Sequence, residues 1–177
     1  KALWGGLLSF VPILNLLALG YLVEYTQRLR RMGEWELPEW RDQNFPGLFA
    51  EGLRAFVICL AYAGVPILAG WLLSEIFDLL TFGLLGIVSH FPLAIAGFVS
   101  PFLFLSAVHT YLSDGIFTDV WQFRTVFNRA RSFWPRLVLP VIAFWGIFLL
   151  AIPLYGLSLF LGLWVLLAYS TALQFAD

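Results

Sequence analysis

Apolar residues run through this chain in long blocks rather than as single helical stripes, and the charged residues gather between the blocks. A helical residue rises about 1.5 Å, so about 20 apolar residues cross the hydrocarbon of a bilayer. On that measure the pattern predicts five spans, over 2–23, 54–74, 91–111, 137–150 and 154–173. Four or six are also compatible, because prolines interrupt several blocks. Pro12 sits inside the first block and is expected to kink it. Pro92 and Pro101 interrupt the third, and part of Ile76 to His90 is expected to be interfacial or re-entrant. The run from Leu137 to Ala176 holds no charge. As one helix of about 40 residues it would reach about 60 Å, twice the hydrocarbon thickness, so it must fold back. The turn signal there is Ala151–Gly156, which contains Pro153.

Two polar stretches separate the blocks. Residues 24–51 are mixed in charge and carry Gly33, Pro38, Pro46 and Gly47. They read as a helix extension to about Arg31, an irregular crossing, and a short helix entering the second span. Residues 115–134 read as an amphipathic helix. Ile116, Val120, Phe123, Phe127, Ala130 and Trp134 recur at steps of four and three and share one face. Arg124 and Arg131 flank that face, while Asp119, Gln122, Thr125, Arg129 and Ser132 occupy the other. Aromatics on one side with arginines at the flanks is the pattern of a helix lying in the membrane interface. Span, loop with short helix, span occurs twice, which reads as a weak internal repeat in one orientation. Phe49–Phe56 and Phe127–Phe133 occupy corresponding places.

Charge position gives orientation. Arg28, Arg30, Arg31, Arg41 and Arg54 lie between the first two spans, and Arg124, Arg129, Arg131 and Arg136 between the third and fourth. Short arginine-rich loops stay cytoplasmic, so both are expected on that side of a prokaryotic inner membrane. Five spans then place the N-terminal end outside. A re-entrant first segment, turning near Pro12 and Asn15, places both ends inside.

Composition agrees. Hydrophobic residues make up 61% of the 177, charged residues 12%, and the mean hydropathy is +0.88. A soluble domain carries about 25% charged residues. The expected fold is a single all-α transmembrane domain, a polytopic helical bundle with a cytoplasmic-side amphipathic interfacial helix. The net charge of −1 points to no nucleic acid. Cys59 stands alone in an apolar run and reads as a packed hydrophobe, with no intramolecular disulfide. The chain opens on Lys1 rather than Met and is expected to continue upstream. Its first apolar run is too long for a signal sequence, and no small-x-small cleavage site follows.

Gly5-Gly6-Leu-Leu-Ser-Phe-Val-Pro-Ile-Leu-Asn15, then Gly20-Tyr21, Leu37-Pro38-Glu39-Trp40 and Phe49-x-x-Gly52-Leu53-x-Ala55 resemble an uncharacterised prokaryotic membrane family, a domain of unknown function. The resemblance covers most of the chain and is sharpest over residues 5–56. It implies a polytopic membrane fold and assigns no activity or catalytic residue.

The remaining polar residues suggest sites. Trp35, Pro38, Glu39 and Trp40 suit a loop pinned at headgroup level, or a partner-docking surface. Glu39 has Arg28, Arg31 or an arginine of the other loop as expected partners. Arg28, Arg31, Arg124, Arg129 and Arg131 are candidates for lipid headgroups. Asn15, deep in a span, is expected to hydrogen-bond another helix or a carbonyl freed by Pro12. His90 and His109 are weak candidates for a haem or pigment ligand. About 28 Å apart on one helix, they cannot share a metal ion without a fold-back. Asp114, Asp119 and His109 are the one ionisable cluster at a membrane edge. Asp114-Gly115 reads first as a helix break, and a cytoplasmic-edge active site is the lesser reading. Small residues, among them Ala61, Gly64, Gly70, Ala94, Ala96, Gly97, Gly156 and Gly162, mark packing faces. No charged side chain falls within a predicted span and no catalytic template matches. A non-enzymatic protein is therefore expected, with no cofactor or catalytic or metal residue assigned. It would be an accessory, scaffold or assembly subunit whose partners are the bilayer and other membrane subunits. A transporter or lipid-handling protein comes second, and an enzyme at the cytoplasmic edge third.

Overall fold

The structure, a computed structural model, describes residues 2–9, 11–40, 43–150 and 154–175. It is all-α, and among the described residues there is no strand. The helices are α1 (Ala2–Leu8), α2 (Pro12–Met32), α3 (Phe45–Cys59), α4 (Val65–Leu80), α5 (Phe91–Asp114), α6 (Phe123–Leu150) and α7 (Tyr155–Phe175). Arg41, the turn residues 151–153 and Asp177 lie outside the described residues, as do the side chains of Pro12 and Asp114.

Four helical stretches are long and apolar enough to cross a membrane: Phe45–Leu80, Gly86–Ser113, Phe123–Leu149 and Tyr155–Leu173. The second predicted span falls within the first of these, and the fourth and fifth overlap the third and fourth to within one residue. The third, 91–111, falls in α5. The chain is thus a membrane-type helical bundle.

The first predicted span differs. Residues 2–23 form two helices rather than one kinked helix, because α1 stops at Leu8 and α2 restarts at Pro12. Pro is favoured in the first turn of a helix, where its missing N–H costs nothing. A methyl group added at Gly5 would lie 2.3 Å from the Phe160 ring, whose centroid is 6.3 Å from that of Tyr21. In a continuous helix residues 5 and 21 would be about 24 Å apart. The chain therefore doubles back, and α1 and α2 make a helical hairpin on α7. Neither helix of this hairpin is among the four stretches long and apolar enough to cross a membrane.

The second correction concerns length. Phe45–Leu80 runs as one helix of 36 residues, so the short entry helix, the span and the start of the supposed interfacial segment are continuous. Within it Leu60–Gly64 forms a π turn, in which the Val65 N–H bonds the Leu60 carbonyl. Pro66 follows directly and offers no N–H, a common setting for a local change of helical register. After Leu80 an apolar turn and a 3-10 turn (Gly86–His90) lead into α5.

The third correction concerns 115–134. Gly115 adopts a left-handed conformation (φ 75°), a 3-10 turn covers Phe117–Trp121, and α6 begins at Phe123. The predicted amphipathic helix is thus a turn plus the first part of α6, which continues through Pro135 and Pro140 into the fourth span. Val120 and Ala130 are buried, whereas Ile116, Phe123, Phe127 and Trp134 of the same predicted face are exposed.

Two helix–turn connections share features at their ends. α2 and α5 each carry a proline in the first turn, Pro12 and Pro92. Each ends on a left-handed glycine, Gly33 or Gly115, whose N–H bonds the carbonyl four residues back. In both cases an aromatic-bearing connection leads to a long spanning helix.

The helices gather into two compact units. One comprises α1, α2, most of α3, and α6 from Phe133 onward with α7. Here Phe144 packs on Gly162, so α6 and α7 fold back on each other. The other comprises residues 57–132. In it Gly70 meets Ala96 and the Pro92 carbonyl, bringing α4 against α5. The Ser74 hydroxyl accepts the Leu93 N–H at 3.2 Å and donates to the Gly70 carbonyl at 2.9 Å. It thereby satisfies one of the orphan donors at the start of α5.

Candidate functional site

In the first unit the two sharpest sequence motifs meet. The Tyr21 hydroxyl donates to the Pro38 carbonyl at 2.7 Å, and the Tyr21 ring stacks on Trp40 with centroids 4.0 Å apart and planes 6° from parallel. Leu37 and Pro38 are buried, and one turn on the Tyr25 hydroxyl reaches the Trp35 carbonyl at 3.4 Å. α2 stands outside the four spanning helices. Burial, reinforced by the Glu39 and Glu24 carboxylates, pushes the Tyr21 phenol up, so it remains a donor. Of the four residues offered as a docking surface, Pro38 and Trp40 are thus engaged within the chain. Trp35 and Glu39 are exposed, and the Glu39 carbonyl accepts from Gln43. Arg28 pairs with Glu24 at 2.6 Å, and Arg31 is exposed.

Asn15 is half-buried, and its side chain makes no hydrogen bond among the described residues. Its backbone N–H bonds the Val11 carbonyl at 2.8 Å. His90 ends the 3-10 turn, exposed, with its Nδ1 3.1 Å from the Ser89 hydroxyl. His109 is buried in α5. Among the described residues no three His, Cys, Asp or Glu side chains come together as metal ligands.

The second unit carries a feature shaped to receive a ligand. An open groove of about 500 Å³ runs between the π turn and the start of α6. Ala61, Tyr62, Val65, Pro66 and Ala69 form one wall, and Leu103 of α5 contributes to the floor. Phe123, Val126 and Phe127 form the other wall, with Arg124 as the single charged group in the lining. Its geometry follows from the π turn. The Tyr62 hydroxyl donates to the Val120 carbonyl, tying the register shift to the 3-10 turn. The Tyr62 ring lies 5.9 Å from Phe123. Small side chains, Ala61 and Ala69, then leave space on the outer side.

The arginines nearby divide into two kinds. Arg129 donates to the Thr110 and Ser113 hydroxyls, both at 3.2 Å, and so ties α6 to α5. Arg124 and Arg131 are exposed and, among the described residues, make no hydrogen bond or ion pair. Arg28 and Arg31 belong to the first unit and Arg124, Arg129 and Arg131 to the second. Sequence periodicity missed Tyr62. The available signal was Pro66, four residues on, whose missing N–H disturbs the helix at Tyr62.

These features define a polytopic helical membrane protein with an apolar groove edged by arginine. The chain belongs to the DUF4013 family, described as protein of unknown function, whose family model matches residues 4–168. No curated protein and no solved structure matches it.

Proposed function

We propose that this is a non-enzymatic membrane protein that binds bilayer phospholipid in the groove between Tyr62 and Phe127, with its arginine-bearing turns on the cytoplasmic side. The carrying observation is the groove itself, apolar throughout with Arg124 in its lining. An open apolar surface of this kind is costly to wet and fits a hydrocarbon chain. Part of the small-residue surface is filled from within, Gly5 and Gly6 by α7, Gly70 by α5 and Gly162 by α6, while Gly64 meets only its own helix and Ala94 is exposed.

A second reading, an accessory subunit of a larger membrane complex, draws on the Phe45–Leu80 helix. Only 17% of its most apolar stretch is buried, and Leu68, Trp71, Leu72 and Ile76 are exposed. Native mass spectrometry after extraction in the mildest releasing detergent separates the two. Retained phospholipid on a lone chain or homo-oligomer supports lipid binding; a stoichiometric foreign protein supports the subunit.

A further inference from the structure

We propose that the groove is selective for anionic phospholipid, with one acyl chain along Val65, Ala69 and Leu103 and the phosphate held by Arg124 and Arg131. This assignment rests on the lipid-binding reading and adds the headgroup to it.

Charge complementarity carries it. Arg124 and Arg131 stand seven residues apart, two helical turns, so they project from one side of α6 about 10 Å apart. Neither has a partner among the described residues, although Arg129 between them is tied down by two hydroxyls. Two exposed guanidinium groups without a carboxylate both attract a phosphate placed between them. Guanidinium also matches phosphate geometrically, offering two parallel N–H donors to two oxygens.

The surroundings argue for a lipid source of that phosphate. Phe127 lies between the two arginines in sequence and is exposed, as are Phe123 and Trp121. Aromatic rings beside cationic heads are suited to the boundary between headgroups and acyl chains. The groove's lining joins Arg124 to apolar side chains, the combination that one amphiphile presents. A zwitterionic headgroup would bring an ammonium beside the arginines, whereas an anionic headgroup leaves its charge wholly available to them.

The test uses the full chain in nanodiscs or detergent with equal amounts of phosphatidylglycerol and phosphatidylcholine bearing identical acyl chains, read by native mass spectrometry. Wild type should retain phosphatidylglycerol preferentially. R124Q/R131Q should still retain lipid, but with the preference reduced about tenfold, the equivalent of one charge-assisted hydrogen bond. R124K/R131K should restore part of it. Ala69→Trp, which fills the groove, should lower retention of both lipids. Wild-type retention without headgroup preference would overturn the anionic assignment and leave lipid binding standing, and needs no variant to be folded. A preference unchanged in R124Q/R131Q would overturn the assignment to these arginines. Wild type that retains neither lipid would overturn the lipid-binding reading as well.

Discussion

Gly20 and Gly52 face each other across the contact of α2 with α3, each where a single methyl group would strike the other helix's backbone. A Cβ at Gly20 would sit 1.9 Å from the Leu48 carbonyl oxygen, and one at Gly52 would sit 1.8 Å from that of Leu16. The reciprocity shows a backbone-to-backbone crossing, the arrangement by which helices associate where lipid removes the hydrophobic drive. It also explains why Gly20 and Gly52 occur in two separated motifs of the same sequence.

Either Gly20→Ala or Gly52→Ala should destabilise the protein by about 3 kcal/mol, the upper range for overpacking, because backbone rather than a side chain must yield. The double variant should cost less than the sum, since both changes break one contact. Thermal unfolding in detergent, followed by far-UV circular dichroism, measures this. Wild-type stability in either variant would show that the helices do not cross here.

Tyr21→Phe removes the donor to Pro38 but keeps the ring on Trp40, so a loss of about 1 kcal/mol is expected. Trp40→Ala should cost more, about 3 kcal/mol, because it also uncovers the Tyr21 ring. Limited proteolysis between Gly33 and Asn44 gives an independent readout. Cleavage there should accelerate in Trp40→Ala and rise only modestly in Tyr21→Phe.

Ser74→Ala should leave the Leu93 N–H without its acceptor, at a cost of about 1 kcal/mol. Hydrogen exchange at the Leu93 amide should speed up while amides in α7 are unaffected. Equal exchange in both proteins would mean that Ser74 does not cap α5.

The arginines should separate by kind. Arg129→Gln should lower the melting temperature, because it breaks the tie to Thr110 and Ser113. Arg124→Gln and Arg131→Gln should change stability by less than about 0.5 kcal/mol, as expected for exposed substitutions away from structural contacts. A melting temperature lowered equally by all three would contradict the division.

Orientation has its own test. In a Cys59→Ala background, a cysteine at exposed Ser132 should react with an impermeant thiol reagent only once the cytoplasmic side is opened. Labelling from outside would reverse the proposed topology.

How much of this was legible beforehand varies with the kind of signal. Apolar block length predicted five spans, four of which coincide closely with helices long and apolar enough to cross a membrane, because lipid demands a fixed number of apolar residues whatever the packing. Gly20-Tyr21 and Leu37–Trp40 were visible as motifs, but nothing local says that a tyrosine hydroxyl will meet a proline carbonyl 17 residues on. The groove was not legible. Its walls come from three helices, and its key residue, Tyr62, owes its direction to a π turn that periodicity assumes away.

The sequence by itself determined the solvent, which stretches are apolar enough to cross it, and where the arginines concentrate, because these depend on composition over windows of about 20 residues. Only the tertiary structure decided that residues 2–23 fold back on Phe160, that α6 begins at Phe123 and runs unbroken into its span, and that Arg124 and Arg131 stand unengaged while Arg129 is tied down. Those outcomes depend on which surfaces meet across the fold. A residue's partner through space is not encoded in the period of its neighbours along the chain.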